Sequence, residues 1–155
     1  MKKMIAALIV IMLLLVPLLQ GCAILAALMM DDLDDREAKE DILNYVKENE
    51  KLLLSCIESG DYSAIKLSDI IKNVKPGAEI IEFDCGGAGF GPATAYCGFY
   101  YSSDDDLRAI WCAPDFPEDE LTQSGDGWFW QEPGGDNCYY TELICGHFYY
   151  YDALF

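Results

Sequence analysis

Residues 147–155 read "HFYYYDALF". Aromatic residues at this density fit the pleated surface of a strand. Side chains along a strand point alternately to its two faces. Phe148 and Tyr150 therefore share one face, and Tyr149, Tyr151 and Ala153 share the opposite one. The stretch predicts a closing strand that is aromatic on both sides. One helix covers only one side of a sheet, so some of these rings face something other than a helix.

The candidate for that helix is "DDLDDREAKEDILNYVKENEKLLLSCIESGDY", residues 31–62. Asp34 or Asp35 can cap its N-terminus, and acidic residues crowd the first turn, where the helix dipole favours them. Ile42, Val46, Leu53 and Ile57 make an apolar stripe, with Tyr45, Leu52 and Cys56 beside it. Gly60 supplies a left-handed stop.

Between these two segments the pattern is of strands and turns. Pro76-Gly77 separates two short runs. "AEIIEFD" (78–84) alternates, with Ile81 and Phe83 on one side and Ile80, Glu82 and Asp84 on the other. "CGGAGFGPA" (85–93) reads as a glycine-rich connection into the aromatic strand "TAYCGFYYSS" (94–103). Residues 102–126 are acidic and turn-rich and end in the tight-turn sequence "SGDG". "WFWQE" (128–132) is a strand, "PGGDN" a turn, and "YYTELI" (139–144) is ambiguous between strand and helical turn. The expected fold is α+β: one long N-terminal helix packed on a four- to five-stranded antiparallel meander sheet, preceded by a signal or anchor segment.

That leading segment opens with Lys2 and Lys3, followed by an apolar run from Met4 to Leu19 and then Leu19-Gln20-Gly21-Cys22. A positive start, an apolar stretch and small residues at its end describe a signal peptide. Leu-x-Gly-Cys also looks like a bacterial lipobox, in which cleavage behind Gly21 leaves Cys22 as a lipid-bearing N-terminus. Residues 23–30, "AILAALMM", are apolar as well, so 4–30 is alternatively one uncleaved membrane anchor. The domain division is 1–21 as lipoprotein signal peptide (or 4–30 as anchor), 22–35 as tether, and 36–155 as an α+β domain. Lys2 and Lys3 stay on the cytoplasmic side in either case, which makes the domain extracytoplasmic and anchored to the cell membrane.

Eight of the 10 Lys+Arg and all 27 Asp+Glu follow the apolar run, which leaves that part of the chain at −19. Nucleic acid and anionic headgroups both require a basic patch, so neither is an expected partner. A strongly acidic surface suits solubility, or a cationic partner.

Three blocks carry a resemblance: "IEFDCGGAGFG…YCGFYYSSDDD", "GWFWQEPGGDN" and "YYTELICGHFYYYDALF". In this order they resemble a group of uncharacterised small lipoproteins of gut clostridia and related Gram-positive bacteria. The resemblance covers most of the domain and implies a secreted, lipid-anchored protein. It implies no activity, and the only residue it bears on is Cys22.

Chemical motifs are sparse. In "GGAGFGP" the third glycine of a dinucleotide fingerprint is replaced by Pro92, and the loop leads into a strand instead of a helix N-terminus. Cys56, Cys85, Cys97, Cys112, Cys138 and Cys145 are an even set outside the membrane, which suits disulfides, although free thiols fit equally well. Sequence does not choose their pairing, though Cys85 and Cys97 flank one hairpin and can face each other. His147 is the only histidine and has neither a nucleophile motif nor a second histidine at ligand spacing. "SDDDLR" (103–108) lacks the spacing of a calcium loop. No cofactor, metal or catalytic residue is expected.

The aromatic-rich sheet remains. The expected function is binding of an envelope protein or a cell-wall glycan, through Trp128, Trp130, Tyr149 and Tyr151. The alternatives are an acidic inhibitor or immunity-type lipoprotein that neutralises a cationic partner, and a hydrolase built on His147 with nearby carboxylates.

Overall fold

The computed structural model describes residues 38–90, 93–108 and 116–154. The signal or anchor segment, Cys22, the tether 22–35, the candidate caps Asp34 and Asp35, and Cys112 lie outside the described residues. The sheet and nearly all of the helix belong to one compact unit, Asp41–Phe155. Among the described residues no helix is long and apolar enough to cross a membrane.

Helix α1 spans 38–59. Its apolar residues recur at helical spacing, and Ile42, Val46, Leu53 and Cys56 are all buried. Leu52 lies off the stripe and is exposed. Gly60 ends the helix at φ 70 and donates its N–H to the Cys56 carbonyl. A residue with a Cβ adopts that backbone angle only at some cost.

Seven strands follow: β1 (Asn73–Pro76), β2 (Ile80–Phe90), β3 (Ala93–Ser102), β4 (Thr122–Ser124), β5 (Gly127–Gln131), β6 (Cys138–Cys145) and β7 (Phe148–Leu154). They form one sheet in the order β1-β2-β3-β7-β6-β5-β4, and every neighbouring pair is antiparallel. The expected α+β class holds, while four to five strands is an undercount. The strand missed outright is short and polar. β4 is the exposed tripeptide "TQS" inside the acidic stretch, and "YYTELI" resolves as strand β6.

Two further expectations are corrected. "CGGAGF" is strand, not connection: after a bulge between Asp84 and Gly86 the β2–β3 ladder continues to Phe90↔Ala93. The sheet is also not a single meander. β1-β2-β3 run consecutively from one edge and β4-β5-β6-β7 from the other, so the last strand meets β3 at the centre. Edge positions therefore fall to β1, with Lys75 and Pro76, and to β4, which are short strands poorly suited to further pairing.

This order makes two cores. On one face α1 contributes Ile42, Val46, Leu53 and Cys56 to a cluster with Phe83, Phe99, Phe148 and Tyr150. Phe83 and Phe99 stack at 4.5 Å, and Phe148 meets Phe99 edge-on at 6.3 Å. Such ring pairs add about 1 kcal/mol each beyond area burial. The opposite face gathers Ile80, Tyr100, Trp130, Tyr139, Tyr149, Tyr151 and Ala153. The chain must pass from β3 to the far edge before β4 begins, and the described parts of that connection lie on this second face. Phe116 is buried in its core, with Leu107 and Leu121 packed beside it.

Candidate functional site

The second face can be read as rows across the ladders. One row runs Leu143, Tyr149, Tyr100, Glu82, Lys75; the next runs Gln123, Trp128, Thr141, Tyr151, Gly98. A third holds Trp130, Tyr139, Ala153 and Tyr96. Trp128, Trp130, Tyr149 and Tyr151 thus lie on one face, the one opposite α1.

Their exposures differ. Trp130, Tyr149 and Tyr151 are 6%, 5% and 0% exposed, whereas Trp128 is half-buried. The cover comes from the described parts of the connection, 103–108 and 116–121. Phe116 stacks on Trp130 at 4.6 Å and tilts against Tyr139 at 5.5 Å. Trp130 Nε1 donates to Glu120 Oε2 at 2.9 Å, and the Tyr139 hydroxyl donates to the Leu107 carbonyl at 3.1 Å. Rings with a polar tip can be buried when that tip finds a partner. Among the described residues no buried side-chain nitrogen or oxygen lacks one.

Below these rings sits a buried carboxylate. Glu82 is fully buried, accepts from the Tyr151 hydroxyl at 2.9 Å and pairs with Lys75 Nζ at 3.2 Å. Tyr151 reaches it by lying over Gly98. Tyr100 bonds Thr141 across the sheet at 3.0 Å and stacks on Tyr149 at 5.3 Å.

What stays open on this face is Trp128 and its diagonal neighbour Leu143. Leu143 is 52% exposed, the most exposed large apolar side chain among the described residues. The pair shares a face because Trp128 faces Thr141 and Leu143 lies two residues beyond it.

A second cluster surrounds His147. Its Nδ1 lies 2.8 Å from Asp105 Oδ1, and the Tyr149 hydroxyl donates to the same oxygen at 2.9 Å. Asp105 adopts φ 60, a left-handed conformation that aspartate tolerates better than most residues. Its carboxyl is held below the usual carboxylate range, first by the His147 bond and then by the Tyr149 bond. Asp106 grips Arg108 through Nε at 3.1 Å and Nη2 at 3.2 Å. "SDDDLR" therefore anchors the connection. Sequence reasoning missed Asp105, Phe116 and Leu143, and only the left-handed tendency of an Asp in a turn hinted at the first. Among the described residues no group of three or more His, Cys, Asp or Glu is placed to hold a metal ion.

Tyr149 supplies a pH test. Burial, then the hydrogen bond to Asp105, pushes its hydroxyl from 10.0 up to about 12. Folding thus holds the proton on Tyr149. That contribution to stability is complete below the unfolded value of 10.0 and is lost as pH rises through about 12. Urea midpoints measured across this window should fall for the wild type and fall less for Tyr149→Phe. Parallel slopes for the two proteins would rule the coupling out.

Comparison of the chain with protein-family profiles, with curated proteins and with solved structures finds no match.

Proposed function

We propose that this chain is a membrane-tethered, extracytoplasmic binding domain. It is held at the membrane through lipid on Cys22 or through a helix over residues 4–30. Its contact surface is the open end of the aromatic face, centred on Trp128 and Leu143. One observation carries this reading: Leu143, 52% exposed, sits beside a half-buried tryptophan on a face whose other rings are packed. Tryptophan anchors with adjacent apolar surface dominate binding energy at protein contacts, and indole faces also stack on sugars. Trp130, Tyr149 and Tyr151 are packed within the core of the same face, so the contact is narrower than the full aromatic face. The partner is an envelope protein or a cell-wall glycan, and catalysis is not its work.

The test uses the full chain in its membrane, with Cys22→Ser as the control for the tether. Co-sedimentation with isolated cell-wall sacculi reads the glycan arm, and cross-linking in intact cells reads the protein arm. Trp128→Ala and Leu143→Ser should each weaken recovery by about tenfold in one of them, the scale of a single anchor residue. Unchanged recovery in both arms would remove Trp128 from the contact.

Two other readings rest on specific observations. The charge of −19 after the apolar run supports an acidic inhibitor or immunity-type protein. Its binding to a basic partner would weaken steeply with salt. The His147–Asp105 pair supports a hydrolase, since a carboxylate on Nδ1 orients an imidazole as a base. Among the described residues no hydroxyl or thiol is hydrogen-bonded to that ring, so the nucleophile such a site needs is missing from this arrangement.

A further inference from the structure

We propose that Cys85 and Cys97 form a disulfide across the bulge in the β2–β3 ladder. The inference stands on strand register and does not depend on the binding reading. Asp84 faces Gly98, and the next aligned pair is Gly86 with Cys97, so Cys85 is the inserted residue. In a bulge of this kind two residues of one strand oppose one residue of the other. Cys85 and Cys97 are therefore cross-strand neighbours on the same side. Both pack against the core beneath α1. Opposed residues in an antiparallel pair have Cα atoms roughly 4.5–5.5 Å apart, inside the ~4.4–6.8 Å that a disulfide spans.

The surroundings agree. Burial pushes the Cys85 thiol up, and Cys97 beside it adds to the shift. In this structure both are free thiols, and Cys85 donates its S–H to the Phe83 carbonyl oxygen at 3.7 Å, a contact that oxidation would replace with the bridge. The other described cysteines are placed elsewhere. Cys138 faces Leu154 and Cys145 faces Phe148, on a strand separated from β3 by β7; Cys138 shares its row with Ala95, two residues from Cys97, so Cys138 and Cys97 lie about 12 Å apart. Cys145 packs on the same core but lies in the row of Tyr101, four residues from Cys97, which leaves Cys56 on α1, buried in that core, as the competitor.

The position also explains what a bridge would do. Beyond the bulge the hairpin runs through Gly86, Gly87 and Gly89, which offer no side chains to hold the two strands together. Gly87 is so close to β3 that a Cβ there would lie 2.0 Å from the Ala95 carbonyl oxygen. A covalent link at its base confines a segment that side-chain packing cannot.

The chemistry balances with a small-molecule disulfide as oxidant. A thiolate of one cysteine attacks it and releases one small thiol, leaving a mixed disulfide. The second cysteine then attacks that bond and releases the other small thiol. Both S–H bonds are lost, one S–S bond forms, and two electrons pass to the oxidant.

The test is to equilibrate the full chain, purified reduced in detergent, with oxidised and reduced glutathione. Remaining thiols are then alkylated and the peptides mapped by mass. The expected product is a Cys85–Cys97 linked peptide, lighter than its reduced parts by two hydrogens. Reduction should lower the thermal midpoint by roughly 10 °C, given the loop that the bond closes. Alkylation of both cysteines under oxidising conditions, or a Cys56–Cys85 link, would overturn the assignment. Cys56→Ser separates these outcomes, since it should leave the expected bridge intact.

Discussion

Gly98→Ala is expected to destabilise the domain by about 3 kcal/mol or more, enough to unfold much of it at ambient temperature. The reason is backbone, not side chain. A methyl on Gly98 would lie 2.3 Å from the Phe83 carbonyl oxygen and 3.0 Å from both Cε1 and the hydroxyl of Tyr151. The first contact cannot be relieved by rotating a side chain, because Phe83 is on the neighbouring strand and its ring is locked in the other core. The second would push Tyr151 off the position from which it reaches Glu82. Shortening the ring in Gly98→Ala/Tyr151→Ala should therefore fail to restore stability. Gly60→Ala provides the contrast. Its Cβ meets nothing within 4 Å, and the strain comes only from φ 70, worth about 1 kcal/mol. Urea denaturation of the variants decides the matter. A Gly98→Ala protein as stable as Gly60→Ala would mean that the two strands can separate locally at little expense.

Lys75→Met is expected to cost about 3 kcal/mol at neutral pH, and Tyr151→Phe about 2 kcal/mol. Both leave Glu82, at 0% exposure, with one donor fewer. A buried carboxylate that loses a partner keeps its desolvation penalty and forfeits the attraction that offset it. The lysine side chain is 28% exposed, which places its loss at the lower end of the range for buried pairs. The converse follows from the same argument. Lys75→Met combined with Glu82→Leu and Tyr151→Phe should lie within about 1 kcal/mol of the wild type, because apolar side chains in that space need no partner, whereas keeping the Tyr151 hydroxyl would strand the donor that Glu82 accepts from. A double-mutant cycle in urea gives the coupling. A neutral Lys75→Met would show that water solvates Glu82 from the edge strand.

These residues show how much of the molecule is local. Ile42, Val46 and Leu53 recur at helical spacing, so the buried face of α1 is legible from residues 31–62 alone. The same holds for the two-sided alternation of β7 and for Trp128 and Trp130 sharing a face. A period-two or period-3.6 pattern depends only on neighbours along the chain. Polar edge strands escape such reading: "TQS" has no alternation to detect, and it becomes a strand only because β5 offers it a ladder.

The candidate surface was less legible than the fold. Sequence placed Trp128, Trp130, Tyr149 and Tyr151 among rings that one helix could not cover. It contained nothing to say that Phe116 would stack on Trp130, or that Asp105 would reach Tyr149. Those contacts join segments far apart in the chain, and they follow from strand order. Because β7 enters between β3 and β6, the connection to β4 must reach the far edge of the sheet, and its described parts cover the rings in passing.

By itself, then, the sequence determined the helix, its buried stripe, the aromatic character of both sheet faces and the acidic balance of the chain. All of these are set by the identity and spacing of nearby residues. Tertiary structure alone decided which aromatics stay open and that Glu82 is buried beneath a tyrosine, and it supplied the bulge that sets Cys85 beside Cys97, a proximity that their hairpin spacing already allowed. These depend on register and strand order, which arise when non-local ladders close around two cores at once.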